Sequence, residues 1–210
     1  MGRADALAKI GDLTDVSRET SDKLAGFVEL LTKWNSKINL VSPSTIPEVW
    51  ERHVLDSAQI MPILDSNVTS LVDIGTGGGF PGMILAVLAS DANPDLQVTM
   101  IESDLRKCAF LQTAAARLGV SAQVISKRIE AVPQQNCDAM TSRALAPLTK
   151  LLEFSERHLR SGGQAHFMKG ENADREIEEA LASWQFDLQK RASLTHPDAV
   201  ILTIGNLRRL

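Results

Sequence analysis

The chain has 210 residues, 44% hydrophobic and 23% charged, with 22 basic and 26 acidic side chains giving a net charge of −4. That length suits one ordinary α/β domain, or one with a small helical appendage, and the composition excludes wholesale disorder and collagen-like repeats. No apolar run approaches the ~20 residues of a membrane helix; Met83 to Ala89 is about the longest. The N-terminus, Met-Gly-Arg-Ala-Asp-Ala, lacks a secretory apolar core and carries alanine where myristoylation needs serine or threonine. The expectation is a cytoplasmic protein that engages no membrane. Cys108 and Cys137 form no CxxC and have no nearby histidine pair, so reduced thiols and no metal site are expected. The acidic balance is not the usual signature of a nucleic-acid binder, although the placement of the basic residues matters more than their sum.

Residues 1–66 read as a helical N-terminal subdomain. Leu24, Phe27, Val28, Leu31 and Trp34 recur at helical spacing and predict one buried face. After a loop at Asn39 to Pro43, Thr45-Ile46-Pro47-Glu48 has the form of a helix start, with Thr45 as cap and Glu48 three residues later. That helix is expected to run through Trp50, His53 and Val54 towards Met61, and Pro62 ends it. Trp34 and Trp50 are expected in the core, and His53 with Asp56 as a fixed hydrogen-bonded pair on one helix face. The polar stretch Asp65 to Ser70 marks a boundary.

Residues 67–210 alternate short apolar strands with helices, which predicts βαβ units and a mostly parallel sheet. The strands are expected at Leu71–Ile74, Val98–Ile101, Ala122–Ile125, Ala139–Ser142 and Ala165–Met168, the last after a turn at Gly162-Gly163. Helices are expected over Pro81–Ala89, Asp104–Leu118 and Pro147–Leu159, with another capped by Asn172 and burying Ile177, Ala180, Leu181 and Trp184. Phe186–Ser193 and Ala199–Ile204 have no helix between them and should form an antiparallel hairpin, completing a seven-stranded α/β sheet.

The strongest local signal is Asp73-Ile74-Gly75-Thr76-Gly77-Gly78-Gly79-Phe80-Pro81-Gly82. A strand entering a glycine-rich turn and then a helix brings backbone N–H groups close to a ligand. The Walker loop is disfavoured because no lysine occurs there. The dinucleotide register GxGxxG can be forced onto Gly77, Gly79 and Gly82, but it begins late and puts Pro81 at the helix start. S-adenosylmethionine (SAM) fits better. Asp73 can attract its α-amino group directly or through water, and Glu102, ending the second strand, can accept both ribose hydroxyls. Glu102 alone would serve NAD equally; Asp73 tips the reading to SAM.

Arg128, Arg143 and Lys169 each follow a predicted parallel strand, where ligands bind, and form a basic rim suited to a phosphate-bearing substrate. These are the candidate catalytic residues, with Arg128 and Lys169 assigned to the substrate's phosphates. The fourth strand ends in Thr141-Ser142-Arg143-Ala144, without the Asn/Asp-Pro-Pro-aromatic turn used on exocyclic amines, and neither cysteine has the Pro-Cys setting used on pyrimidine C5. Guanine N7 has a free lone pair and needs no deprotonation, so alignment can do most of the work.

The chain resembles the bacterial 16S ribosomal RNA guanine-N7 methyltransferases (RsmG, also called GidB). The resemblance rests on Trp34-Asn35 with Asn39-Leu40, Arg52-His53 with Asp56-Ser57, the turn Asp73 to Gly82, and Glu102-Ser103 with Lys107 and Phe110-Leu111. It continues through Arg128-Ile129-Glu130, Ser142-Arg143-Ala144 and Lys169-Gly170, in order. It implies a Rossmann-like SAM-dependent methyltransferase domain behind the helical subdomain, and methyl transfer to N7 of one guanine, position 527 in the usual rRNA numbering. It implies 16S RNA as partner, within the small ribosomal subunit or an assembly intermediate, and no DNA. By resemblance Gly75 and Phe80 line the SAM site, Ile129 and Glu130 lie against the adenine, and Arg143 reaches the SAM pocket and the target base. Asp73, Gly77, Gly79 and Glu102 join that shell on their own chemistry. The last strand departs from the family: Pro197-Asp198-Ala199 stands where an arginine is usual, and the basic residues fall at Arg208-Arg209. With no tyrosine and few aromatics, recognition is expected to rest on the shape of an assembled particle. A methyltransferase for another substrate and a non-catalytic SAM-binding assembly module are the alternatives.

Overall fold

The computed structural model describes all 210 residues. Helices α1 (Arg3–Gly11) and α2 (Arg18–Asn35) open the chain. Ser17 caps α2, its hydroxyl accepting from the Thr20 amide at 3.1 Å, and Leu24, Phe27, Val28 and Leu31 are buried on one face. The single helix expected from Thr45 does not form. In its place come a 3₁₀ turn (Pro43–Glu48), a wide π-helical turn (Trp50–Leu55), the short α3 (Asp56–Ala58) and another 3₁₀ turn (Met61–Ile63). Pro47 lacks the amide that a continuous helix would use, and the Thr45 hydroxyl donates to the Ser42 carbonyl at 2.7 Å instead of capping. Trp34 and Trp50 lie half-buried against the core rather than within it.

Strands β1 (Ser70–Ile74), β2 (Gln97–Glu102), β3 (Ala122–Ser126), β4 (Cys137–Arg143) and β5 (Leu159–Lys169) run parallel, and β6 (Trp184–Ala192) with β7 (Val200–Arg209) forms the expected hairpin. The sheet is seven-stranded in the order β3-β2-β1-β4-β5-β7-β6. Its period-2 alternation feeds two cores. Leu71 faces a larger one with α1, α2, α4 (Gly82–Ala92) and α5 (Leu105–Leu118); Val72 and Ile74 face a smaller one with α6 (Leu148–His158) and α7 (Ala173–Leu181). No helix is long and apolar enough to cross a membrane.

Two expectations at the C-terminal half are corrected. β5 begins at Leu159 and contains Gly162-Gly163, with the register to β4 shifting between Cys137 and Ala139. Asn172 precedes α7 without a side-chain cap, Leu181 is 49% exposed, and Trp184 starts β6 instead of continuing the helix. The tryptophan is nonetheless buried, 1% exposed in the smaller core, with the Arg209 guanidinium 4.8 Å from its ring centroid. Trp184→Ala is therefore expected to cost about 3–5 kcal/mol of stability, read as a lower urea midpoint at unchanged slope.

Candidate active site

The direction of strand succession reverses between β1 and β4, and ligands of open α/β sheets bind beyond the carboxyl ends of strands at such a point. Two adjoining cavities lie there. The smaller, about 470 Å³, is bounded by Gly75 and Gly77 after β1, Glu102 of β2, and Lys127 to Glu130 after β3. The larger, about 600 Å³, is bounded by Arg143, Lys169, Asp56, Glu176 and the start of β7. Both share Ala144, Leu145 and Ala146. Gly75 adopts φ +64°, and a Cβ there would collide with the Leu145 side chain, so the missing side chain lets leucine lie across the turn between the cavities. Ala144 takes φ +53° to deliver it, a left-handed conformation rare outside glycine.

Of the residues expected at the cofactor, Gly75, Gly77, Glu102, Ile129 and Glu130 line the smaller cavity, with Arg128 exposed at its rim. Asp73, Gly79 and Phe80 line neither cavity. Asp73 is fully buried; Oδ2 accepts the Gly82 amide at 2.9 Å and Oδ1 the Thr141 hydroxyl at 2.9 Å. A Cβ on Gly82 would come 2.7 Å from that carboxylate, so only glycine permits the contact. Asp73 is thus a brace joining β1, β4 and the start of α4, and direct contact with a ligand amine is closed to it. Gly79 faces the helical layer, where a Cβ would meet Met83, Leu111 and Phe27. Phe80, 3% exposed, meets Phe27 edge-on at 5.5 Å and carries the His53 ring and the Arg143 guanidinium, each at 5.0 Å.

Glu102 is more committed than a free ribose acceptor. Its Oε2 accepts the Gly77 amide at 3.0 Å, and Oε1 accepts Ser103 and Asp104 amides at 2.7 and 2.8 Å. Three of roughly four lone-pair sites are occupied, so accepting two hydroxyls at once requires Oε1 to release a backbone contact. Ile101, Ile129 and Phe154 give the same cavity part of its apolar lining.

Arg143 and Lys169 share the larger cavity but differ in freedom. Arg143 donates from Nη1 to the Arg52 carbonyl (3.0 Å) and Asp56 Oδ2 (3.2 Å), and from Nη2 to His53 Nδ1 (2.9 Å). Burial pulls its pKa down while Asp56 opposes the shift, and an arginine stays charged throughout. Lys169 is 8% exposed, 2.6 Å from Glu176 Oε2, and donates to the Ala146 carbonyl at 3.0 Å. It fastens the Ala144–Ala146 segment to α7, and its assignment to RNA phosphate is corrected: the ammonium is buried in an ion pair. Arg128 makes no ion pair and keeps its charge at the surface. Arg208 and Arg209 lie at the opposite end of the sheet, since β7 runs antiparallel to β5, and engage Gln185 and Trp184. Burial pushes the Cys137 thiol up to about 12, which removes it as a nucleophile.

His53 and Asp56 are not bonded to one another; both converge on Arg143. Their spacing three residues apart was the available signal, but the π-helical turn that aims them has none. Thr141 and Leu145 carried no signal at all, because each acquires its role from a partner distant in sequence, Asp73 and Gly75, and Glu176 carried none because its tie to Lys169 depends on how α7 folds back on the end of β5.

A family model, GidB, described as rRNA small subunit methyltransferase G, matches residues 20–201. The ribosomal RNA small subunit methyltransferase G of Ruegeria sp. (strain TM1040) is 50% identical over 93% of this chain and 95% of its own length. That of Paramagnetospirillum magneticum is 42% identical over 100% and 98%. Among solved structures, M. jannaschii TYW2 in complex with AdoMet is similar at TM-score 0.58 and 16% identity, over 83% of this chain and 80% of that one. A SAM dependent methyltransferase from Aquifex aeolicus is similar at TM-score 0.57 and 13% identity, over 85% and 97%. These two likenesses establish the fold, the Rossmann-like one of SAM-dependent methyltransferases.

Burial raises the pKa of Asp73 to about 6 against the hydrogen bonds that lower it. An acid whose folded pKa is raised stabilises the fold below its unfolded pKa and loses that contribution as pH rises through the folded value. Stability is expected to decline from about pH 4 to 6 in the wild type, and Asp73→Asn should flatten that part of the curve. Urea midpoints of the two proteins across this range provide the check, and parallel curves would remove Asp73 as the cause.

Proposed function

The chain belongs to the GidB family, rRNA small subunit methyltransferase G, and on that premise we propose that it transfers a methyl group from SAM to N7 of a guanine, position 527, in 16S rRNA. The observation that carries the assignment of ligands is the pair of adjoining cavities with Leu145 between them. The smaller fits SAM by its donor set. Gly75 and Gly77 allow close backbone approach, Glu102 offers the remaining lone pair of Oε2 to a ribose hydroxyl, and Ile101, Ile129 and Phe154 supply apolar surface for adenine. The larger receives the acceptor base.

When bound, SAM supplies a methyl group on a positively charged sulfur, which the N7 lone pair can accept without losing a proton. The protein therefore needs no general base. Its residues bind, align and exclude water. Arg143 presents a fixed cation towards the acceptor cavity, and donation to guanine O6 would orient the base while leaving N7 free. The exposed Arg128 at the rim suits a backbone phosphate. With a net charge of −4 and no tyrosine, the shape of a small ribosomal subunit or its assembly intermediate is the better recognition feature than stacking on single strands.

The direct test is transfer from labelled SAM to small subunits lacking the modification, with the RNA digested to nucleosides. Label in 7-methylguanosine at one site is expected. Label in another nucleoside overturns the acceptor, and no label overturns the reaction. Glu102→Ala should weaken SAM binding by about 1–3 kcal/mol, as loss of a charged hydrogen-bond partner does; calorimetric titration with unchanged affinity would exclude Glu102 from the site.

A further inference from the structure

Arg143 has five N–H donors as a guanidinium, and three of them are spent on Arg52, Asp56 and His53. The Nε–H and one Nη2–H remain, on a side chain that lines the larger cavity and is 19% exposed. A purine carbonyl oxygen, with two lone pairs, matches that pair of donors. How well it is met depends on how tightly the guanidinium is held, because a free arginine samples many rotamers.

We propose that His53 and Asp56 are positioning residues that fix the Arg143 guanidinium for the acceptor base, and that Asp56 ties the β6–β7 turn to the same point. The inference rests on the guanine-N7 reading above. The hydrogen-bond directions are fully determined. His53 Nδ1 faces an arginine donor and must accept, so its proton is on Nε2 and is donated to Thr45 Oγ1 at 2.8 Å. Thr45 passes its own hydroxyl hydrogen to the Ser42 carbonyl at 2.7 Å. The ring is buried against Phe80 at 5.0 Å, and burial with the charges of Arg143 and Arg52 lowers its pKa to about 3, keeping it neutral and able to accept.

Asp56 divides its oxygens. Oδ2 accepts from Arg143, while Oδ1 accepts the Thr195 hydroxyl at 2.6 Å and Gln59 Nε2 at 3.1 Å. Gln59 Oε1 in turn accepts the Leu194 amide at 2.6 Å. The turn between β6 and β7 contributes Ser193 and Ala199 to the larger cavity. One carboxylate therefore registers a wall of the acceptor cavity against the cation inside it. A purely structural alternative is that this network only docks residues 43–63 onto the sheet; it predicts effects on stability that do not pass through Arg143.

His53→Leu removes the acceptor facing Arg143, whereas His53→Asn keeps an oxygen near the position of Nδ1. Each is measured alone and with Arg143→Ala, as kcat and KM on small subunits lacking the modification, SAM affinity and melting temperature. His53→Leu is expected to lower kcat/KM about 10- to 100-fold, the scale of a small misplacement, with SAM affinity unchanged. His53→Asn should recover most of the loss, and His53→Leu should add nothing once Arg143 is gone. Equal loss in both His53 variants, or the same loss without Arg143, overturns the inference. Thr195→Val, at a half-buried turn position, covers the case in which His53→Leu fails to fold. It should lower kcat/KM several-fold at unchanged melting temperature, and wild-type kinetics there overturn the role of Asp56 in tying the turn. Failure of the wild-type protein to label the subunits overturns the guanine-N7 reading and the inference with it; labelling with a fully active Arg143→Ala overturns the inference alone.

Discussion

A single buried carboxylate organises the centre of the sheet. Asp73 has no exposed surface, yet it accepts from Gly82 on one oxygen and Thr141 on the other. A charge removed from water is tolerated only where its lone pairs are met, and meeting them forces three elements into register. Thr141 belongs to β4, Gly82 opens α4, and Asp73 lies in β1 between the buried Val72 and Ile74. The glycine turn spanning Asp73 to Gly82 is thereby closed at both ends, and its shape follows from that closure.

From this turn the site develops in two directions. Gly75 and Gly77 line the smaller cavity, while Phe80, on the far side of the same turn, is buried under His53 and Arg143. One decapeptide therefore shapes the wall of the smaller cavity with its first half and supports Arg143, the cation in the larger, with its second. Leu145 completes the partition. It reaches Gly75 because Ala144 adopts a left-handed conformation, and Lys169 anchors the segment through the Ala146 carbonyl. The buried Lys169–Glu176 pair belongs to this scaffolding, and the cost of taking both ions out of water offsets much of their attraction.

Much of this was legible along the chain. Alternating strands and helices, the hairpin without an intervening helix, and the glycine turn follow from local periodicity and punctuation, and so do the seven strands. The ends of elements were less legible. Trp184 continued a helical spacing pattern but joins β6, since Ala182 and Ser183 break away and the ring is buried equally well from a strand. The helix expected after Thr45 fails at Pro47 for a reason visible in sequence, but the π-helical turn that replaces it has no sequence signature.

The sequence by itself determined the fold class, the place of the glycine turn, and five of the residues around the smaller cavity, because strand ends and glycine positions are local properties of the chain. The tertiary structure alone decided what each charged side chain does. Asp73 turned inward because Thr141 and Gly82 wait there; Lys169 was taken by Glu176; His53 and Asp56 acquired a common task only when β4 brought Arg143 between them. A charge seeks whatever partner folding brings within about 3 Å, and that partner can be near in sequence, as Glu176 is to Lys169, or 90 residues away, as His53 is from Arg143.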